Sequence, residues 1–498
     1  MQNGKQINIL YKVTYIYLAL PLLVFLLSWL DYGFDIGFSL FYIIGFYYTY
    51  SSIKSNNLKY YIKNNAVIIS FSLALIWCFF AGIGYFYYQS FDFHFRNAVF
   101  RDLINYEWPV FYDKANTPLV YYVGFWLVPA FLTKICALFG FSQETLFIIG
   151  NVLLLFYAAL GTGLVFLHFG LAVKADNLKK FLLAIIGFVF FSGLDIIGYK
   201  FFVLWKQPFD YHLDWWASII QYSSVTTSMF WVFNQFIPAA LMTLLVYNER
   251  QIQNFGFLIA IMLFFAPYPT AGIGAFMIVY AGYEFFNAKR KMIFIKENIF
   301  SIPNIIGVFW LLPLVVMYFI TNTQGIDRWE FFMSFVVFQR LLLFMLLEFL
   351  LYAFVLCFRY KKDVFFITAV VSLIFIPFLR LDQQNNFCMR ASMPALVLLA
   401  VFTVRFIYES FEDKKYTFLR TLLICLWLIG TATPIMEFYR GIHYVNEEKK
   451  LDLVKDEIYT LNQSFVRMPE FGWDANHQFT ARNYKTDIFW QFIAKRKY

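Results

Sequence analysis

Two polar stretches interrupt an otherwise apolar chain, and both carry residues able to move a proton or hold an anion. The first, QSFDFHFRNAVFRDLINYEWPVFYDKANTPLVYY from Gln89 to Tyr122, offers Asp92, His94, Arg96, Arg101, Asp102, Glu107 and Asp113. Asp92, Arg96 and Val99 recur at helical spacing, so on a helix Asp92 and Arg96 share a face. A carboxylate so placed can act as general base toward a hydroxyl within hydrogen-bond reach. An arginine can grip a phosphate through its planar fork. A solvated loop whose charges pair with one another fits the composition of this stretch equally well. The second stretch begins GLDIIGYKFF at Gly193, with Asp195 at the end of an apolar run. Asp210, His212, Asp214, Trp215 and Trp216 follow, and Asn234 and Gln235 lie inside the next apolar run. Two amides at that depth need partners, supplied by a polar cavity or by neighbouring helices.

Other polar residues stand out by position. Arg340 and Glu348 share one apolar run, Arg380 and Arg390 flank the segment FLRLDQQNNFCMRAS, and Arg405 sits near the end of another run. A charge at mid-membrane costs roughly 2.5–3.5 kcal/mol on insertion scales, which makes Glu348 the most informative of these. Arg340, Arg380 and Arg390 are placed either to snorkel to head groups or to hold a lipid phosphate. The five cysteines, Cys78, Cys136, Cys357, Cys388 and Cys425, form no metal-binding spacing and read as small buried hydrophobes. The GxxxxGK[ST], HExxH and GxSxG patterns are absent from the sequence.

The elements that must carry these residues are membrane helices. Of 498 residues, 61% are hydrophobic and 14% are charged, against roughly 25% charged in soluble domains. The apolar blocks reach the ~20 residues that a helical crossing needs. Runs such as LLLFMLLEFLLYAFVL do not alternate as barrel strands do. The first run is expected to be a span and not a cleaved leader. The net charge of +9 is largely in short basic loops, so nucleic acid is not an expected partner.

Basic loops mark the cytoplasmic side. The clusters are Lys54, Lys59 and Lys63; Lys174, Lys179 and Lys180; Lys289, Arg290, Lys291 and Lys296; Arg359, Lys361 and Lys362; and Lys414 and Lys415. For all to share a side, an even number of crossings must separate neighbours. Three apolar stretches lie between Lys63 and Lys174, so one must not cross. Leu119–Leu138, with Lys134 and Pro129, is the stretch expected to lie in the outer interface. Parity also makes Phe255–Phe286 two short spans turned at Pro267-Tyr268-Pro269. The expectation is an all-α membrane protein of about 13 crossings, N-terminus inside and C-terminus outside. Residues 1–436 form the membrane domain with outer loops 89–144 and 196–227, and 437–498 form a small extracytoplasmic tail.

The order FDFHFRNAVFRDL, then YDKANTPLVYYVGFWLVPAFLTKICALFGFS, then ETLFIIGNVLLLFYAALGTGLVFL resembles the GT-C superfamily of integral membrane glycosyltransferases over roughly residues 66–290. That group has an acid just after an early span, an amphipathic helix on the outer surface announced by a Pro-Leu-x-Tyr-Tyr-like string, and then a long span. This chain departs from it. Two spans precede the acidic loop, Asp-Phe-His replaces the usual acidic pair, and Asn-Thr-Pro replaces a common His-Pro-Pro. The resemblance implies inverting transfer of a hexose or pentose from a polyprenyl-phosphate carrier to a glycan, lipid or protein acceptor, at the outer face of a bacterial inner membrane. It implies Asp92 as general base, with Asp113 and Asp195 as the other catalytic candidates. His94, Arg96, Asp102, His212, Asp214, Gln235, Arg340, Arg380 and Arg390 are the substrate-binding candidates. No cofactor is required, although some members use a divalent metal, for which His94, His212 and Asp214 are the candidate ligands. The rival readings are a flippase for lipid-linked sugars, with Glu348 and Arg340 on its path, and a polysaccharide polymerase or ligase.

Overall fold

A computed structural model describes residues 2–53, 64–90, 92–202, 212–218, 220–322, 330–331, 335–381, 385–448, 459–463, 479–481 and 484–495. The cluster Lys54, Lys59 and Lys63, and Asp210, lie outside the described residues. Among the described residues the fold is all-α apart from two minimal two-stranded pairings. Among the described residues, seven helices are long and apolar enough to cross a membrane, and four further apolar helices are shorter. Their composition explains their form, because in lipid each backbone polar group must be satisfied within its own segment.

The chain begins with a hairpin of α1 (Gln2–Trp29) and α2 (Phe34–Ser51), closed where the Tyr42 hydroxyl donates to the Ala19 carbonyl. Next come α3 (Asn64–Phe80), α4 (Asp92–Asn105), the strand pair β1 (Phe111–Tyr112) and β2 (Thr117–Pro118), and α5 (Gly124–Ala137). With 14 residues, α5 is about 21 Å long, short of the ~30 Å hydrocarbon layer. The 30-residue α6 (Gln143–Ala172) is the hub, capped by Ser142 and packed on α3, α5 and α9. Small residues on α6 allow that packing: a Cβ on Gly163 would lie 2.4 Å from the Phe71 ring. Close approach of this kind takes the place of hydrophobic drive between helices in lipid.

Beyond α7 (Leu178–Val189) and α8 (Asp195–Phe202) runs α9 (Val225–Glu249), capped by Ser224. Then α10 (Phe255–Phe265) and α11 (Pro267–Asn287) form the expected hairpin. Pro267 opens α11, and the chain reversal brings the rings of Phe255 and Tyr280 within 6.4 Å. A proline is tolerated in the first turn because no N–H is needed there. The short α12 (Lys291–Phe294) precedes α13 (Ile302–Ile306) and α14 (Leu312–Ile320), which a π-turn joins into one rod. A second π-turn, Leu346–Leu350, joins α15 (Phe335–Met345) to α16 (Leu351–Tyr360). There follow α17 (Val364–Phe375), α18 (Asn386–Ala391), α19 (Met393–Ser410), α20 (Thr417–Gly430) and α21 (Ala432–Glu448). Between α17 and α18, β4 (Leu379–Arg380) pairs with β3 (Glu330–Phe331).

Most of the basic loops that fall on described residues gather at one end. Arg359 and Arg405 both pair with Glu409, the Tyr408 hydroxyl donates to the Lys180 carbonyl, and the Arg250 guanidinium lies over the Tyr280 and Phe365 rings. The opposite, distal end carries α4, α5, α8 and the head of α9. Later segments close over it: Thr117 and Pro118 bond Ala481, and Asp31 N donates to Ile493 O. The boundary expected at 436/437 falls inside α21, so the residues after 436 begin as part of a helix packed on α9.

Candidate functional site

Asp92 is the first residue of α4, where the positive end of the helix dipole favours a carboxylate. Its side chain is 48% exposed, and its Oδ2 lies 3.1 Å from Nη2 of Arg96, one turn on. Arg96 is buried and also donates through Nη1 to the carbonyl of Trp231. That carbonyl stands at a break in α9, where Val232 leaves helical geometry at φ −141° and ψ 41°. Pro238 lies six residues further along and supplies no N–H to the turn before it. The side-chain amides of Asn234 and Gln235 are buried beside this break. Both polar atoms of Asn234 and Nε2 of Gln235 have no protein partner.

A second group closes over Trp231. His212 Nδ1 lies 2.8 Å from Glu437 Oε1. Arg440, one turn along α21, pairs with Glu437 Oε2, and the Trp231 indole N–H donates to the same oxygen at 3.1 Å. The His212 ring stands 4.1 Å from the Trp231 ring, centre to centre, and the Arg440 guanidinium lies 5.2 Å above it. Burial pushes the His212 imidazole below its ordinary pKa; Glu437 opposes that shift, and Asp92 is near enough to add to the opposition. The third member is Arg390 at the end of α18. Its Nη1 is 3.4 Å from the Tyr122 hydroxyl, which accepts from the Tyr121 hydroxyl at 2.6 Å. Arg390 Nε is buried and has no hydrogen-bond partner. Tyr121 lies within electrostatic reach of both Arg96 and Arg390, and Arg390 within reach of Asp92. Asp92, Arg96, His212 and Arg390 therefore converge from three separate parts of the chain.

A buried acidic group lies behind them. Asp195, 1% exposed, opens α8, and its Oδ2 accepts from Ser192 Oγ at 2.7 Å and Thr433 Oγ1 at 2.8 Å. Glu348, in the π-turn, accepts from the Trp216 indole at 2.9 Å and lies beside Asp195. The π-turn also frees the Leu347 carbonyl, which accepts from Leu194 N at 3.1 Å. Gly193 is needed here, since a Cβ would meet a Glu348 carboxylate oxygen at 2.0 Å. Asp214, buried against Thr227 and Ser224, has its pKa raised by burial and by the nearby charges of Asp195 and Glu437.

Other expected participants stand elsewhere. Asp195 is too enclosed to meet an acceptor as a base. Asp113 is exposed in the turn between β1 and β2, apart from the Asp92 group. Asp102 Oδ2 accepts from the Tyr112 hydroxyl at 2.9 Å and Leu461 N at 3.0 Å; burial pushes its pKa up to about 7, against these bonds and the nearby Arg101 charge. His94 is half-buried on α4, Arg340 is exposed on α15, and Arg380 is half-buried in β4. His94, His212 and Asp214 are not gathered as metal ligands: among the described residues no group of three His, Cys, Asp or Glu side chains is placed to hold an ion. Glu348 lies inside the apolar helix Arg340–Tyr360, as expected, with its carboxylate bonded to Trp216 beside Asp195. Sequence reasoning missed Glu437, Arg440 and Trp231. The Glu-x-x-Arg spacing inside an apolar helix was the available signal for the first two.

No family model, no curated protein and no solved structure matches this chain.

Proposed function

We propose that the chain is a membrane glycosyltransferase of GT-C type that takes a hexose or pentose from a polyprenyl-phosphate carrier at the outer face of a bacterial inner membrane. The observation that carries this reading is the half-exposed Asp92 at the head of α4, with Arg96 bonded to it and Arg390 within reach. The chain order supports it: an acid after a span, the short α5, then the long α6. In this reading the distal end is the outer side, the N-terminus is inside, and about 13 segments cross or re-enter the bilayer.

Asp92 accepts the proton of an acceptor hydroxyl as its oxygen forms a bond to the anomeric carbon. The bond from that carbon to the carrier phosphate breaks on the opposite face, and the configuration inverts. The phosphate leaves with additional negative charge, which the unused Nε–H of Arg390 is suited to meet. Arg96 fixes the Asp92 rotamer and ties it to the break in α9, so the base is held by a rigid element. The acceptor is a glycan, a lipid or a protein side chain. A path through both leaflets, as a flippase needs, gains nothing from Glu348, because that residue is bonded to Trp216 at the distal end.

The test is sugar transfer by the purified chain in lipid vesicles, supplied with a panel of polyprenyl-phosphate hexoses and pentoses and a mixed glycan acceptor. Release of polyprenyl phosphate in step with sugar transfer is expected. Movement of intact donor between leaflets with no release would replace this reading with a flippase.

A further inference from the structure

A cavity of about 570 Å³ lies at the distal end and includes none of the residues assigned above. It falls within the ~300–1,000 Å³ of small-ligand sites. The β1–β2 turn forms one wall with Phe111 and Asn116, and the segment 484–495 forms the other with Tyr484, Lys485, Trp490 and Lys495. Among the described residues, none that lines it is acidic.

The chemistry of that lining is specific. The polar atoms of its aromatic rings are already engaged: Trp490 Nε1 donates to Thr321 Oγ1 at 3.2 Å, and the Tyr484 hydroxyl donates to Asn116 Oδ1 at 3.2 Å. The rings therefore offer apolar surface, which suits the C–H face of a pyranose. Asn116 keeps its amide N–H groups for hydroxyls. Lys485 is exposed and Lys495 is half-buried, and each brings a positive charge to the rim.

The cavity is also joined to the Asp92 group. Leu119 and Val120 run beside Thr480 and Phe479, and the Phe479 ring packs on Tyr121 at 4.7 Å. From Pro118 at the cavity to Tyr121 beside Arg390 is three residues of chain, about 10 Å if extended. We infer that this cavity binds an oligosaccharide carrying carboxylate or phosphate groups. Resting on the transferase reading, it holds the inner sugars of the acceptor while the terminal hydroxyl reaches Asp92.

The experiment is saturation-transfer NMR on the full chain in nanodiscs, without donor, using a hyaluronan tetrasaccharide as anionic probe and cellotetraose as neutral probe. The anionic probe is expected to bind, and the neutral one to bind at least tenfold more weakly. Lys485→Glu, on an exposed residue, is expected to weaken the anionic probe by tenfold or more. Trp490→Ala is expected to weaken both probes. Absence of binding by either probe, or equal binding by wild type and Lys485→Glu, overturns the inference. The two proposals fail separately. Binding of the anionic probe by a wild-type chain that transfers no sugar from any donor keeps the cavity and removes the transferase. Transfer with unchanged acceptor KM in Lys485→Glu and Trp490→Ala keeps the transferase and removes the cavity.

Discussion

His212 Nδ1 meets Glu437 Oε1 at 2.8 Å, joining the loop before α9 to α21 across the distal end of the protein. Glu437 is also the acceptor for Arg440 and for the Trp231 indole, so one carboxylate takes two donors and holds the His212 ring close in a site with little solvent. Removing one partner of such a pair leaves charge buried and unpaired, at a cost of about 3–5 kcal/mol. Glu437→Ala is expected to lower the thermal midpoint in detergent well below wild type. Glu437→Gln is expected to lie between, because it keeps one acceptor. Equal midpoints for all three would show that the pair carries no stability.

Arg390→Ala is expected to raise the KM for the lipid donor by tenfold or more, with the fold retained. Lys at this position should recover only part of the loss, because an ammonium lacks the planar fork. The check is donor-dependent kinetics in vesicles, and an unchanged donor KM in the Ala variant removes Arg390 from phosphate binding.

Asp102 supplies a pH test. Its folded pKa of about 7 lies above the ordinary 3.8, through burial and against the pull of Leu461 N–H and Tyr112. Between those values the folded state holds more protons than the unfolded state. Stability from this group is therefore full below about pH 4, falls as pH rises toward 7, and is lost above it. The slope is at most about 1.4 kcal/mol per pH unit. Thermal midpoints from pH 5 to 8 should fall in wild type and flatten in Asp102→Asn. Parallel curves would show that Asp102 ionises normally.

The parts of this arrangement legible in the sequence are the local ones. Asp92 and Arg96 pair because the helical period sets them one turn apart. The reversal at Pro267 follows from what proline does to a helix, and the shortness of α5 agrees with a stretch holding Pro129 and Lys134. What was not legible depends on distant partners. Asp102 was counted among the substrate-binding residues, but its Oδ2 is taken by the backbone N–H of Leu461, far along the chain. Asp113 looked equivalent to Asp92 in a loop, and only the β1–β2 turn shows it exposed. The carbonyl that holds Arg96 exists because α9 breaks at Val232, a residue with no local breaker signal of its own. Glu437 was counted with a polar tail, although α21 carries it into the site.

Orientation can be read by impermeant thiol labelling in intact cells. The background should lack Cys136, Cys357 and Cys425, which are not fully buried. Asp113→Cys, in the exposed distal turn, is expected to label from outside. Lys362→Cys, at the exposed basic end, is expected to label only after permeabilisation. The reverse pattern would invert the topology and put the Asp92 group in the cytoplasm.

The central claim is that Asp92 is the base. Asp92→Asn keeps the shape, and its amide oxygen can still accept from Arg96, but it cannot take a proton at neutral pH. General-base catalysis contributes about 10²–10⁴-fold. The decisive measurement is single-turnover transfer by purified Asp92→Asn in vesicles, with donor binding measured on the same preparation. A rate lower by that factor with donor affinity unchanged is the predicted result. A near-normal rate would contradict the assignment of Asp92 as base.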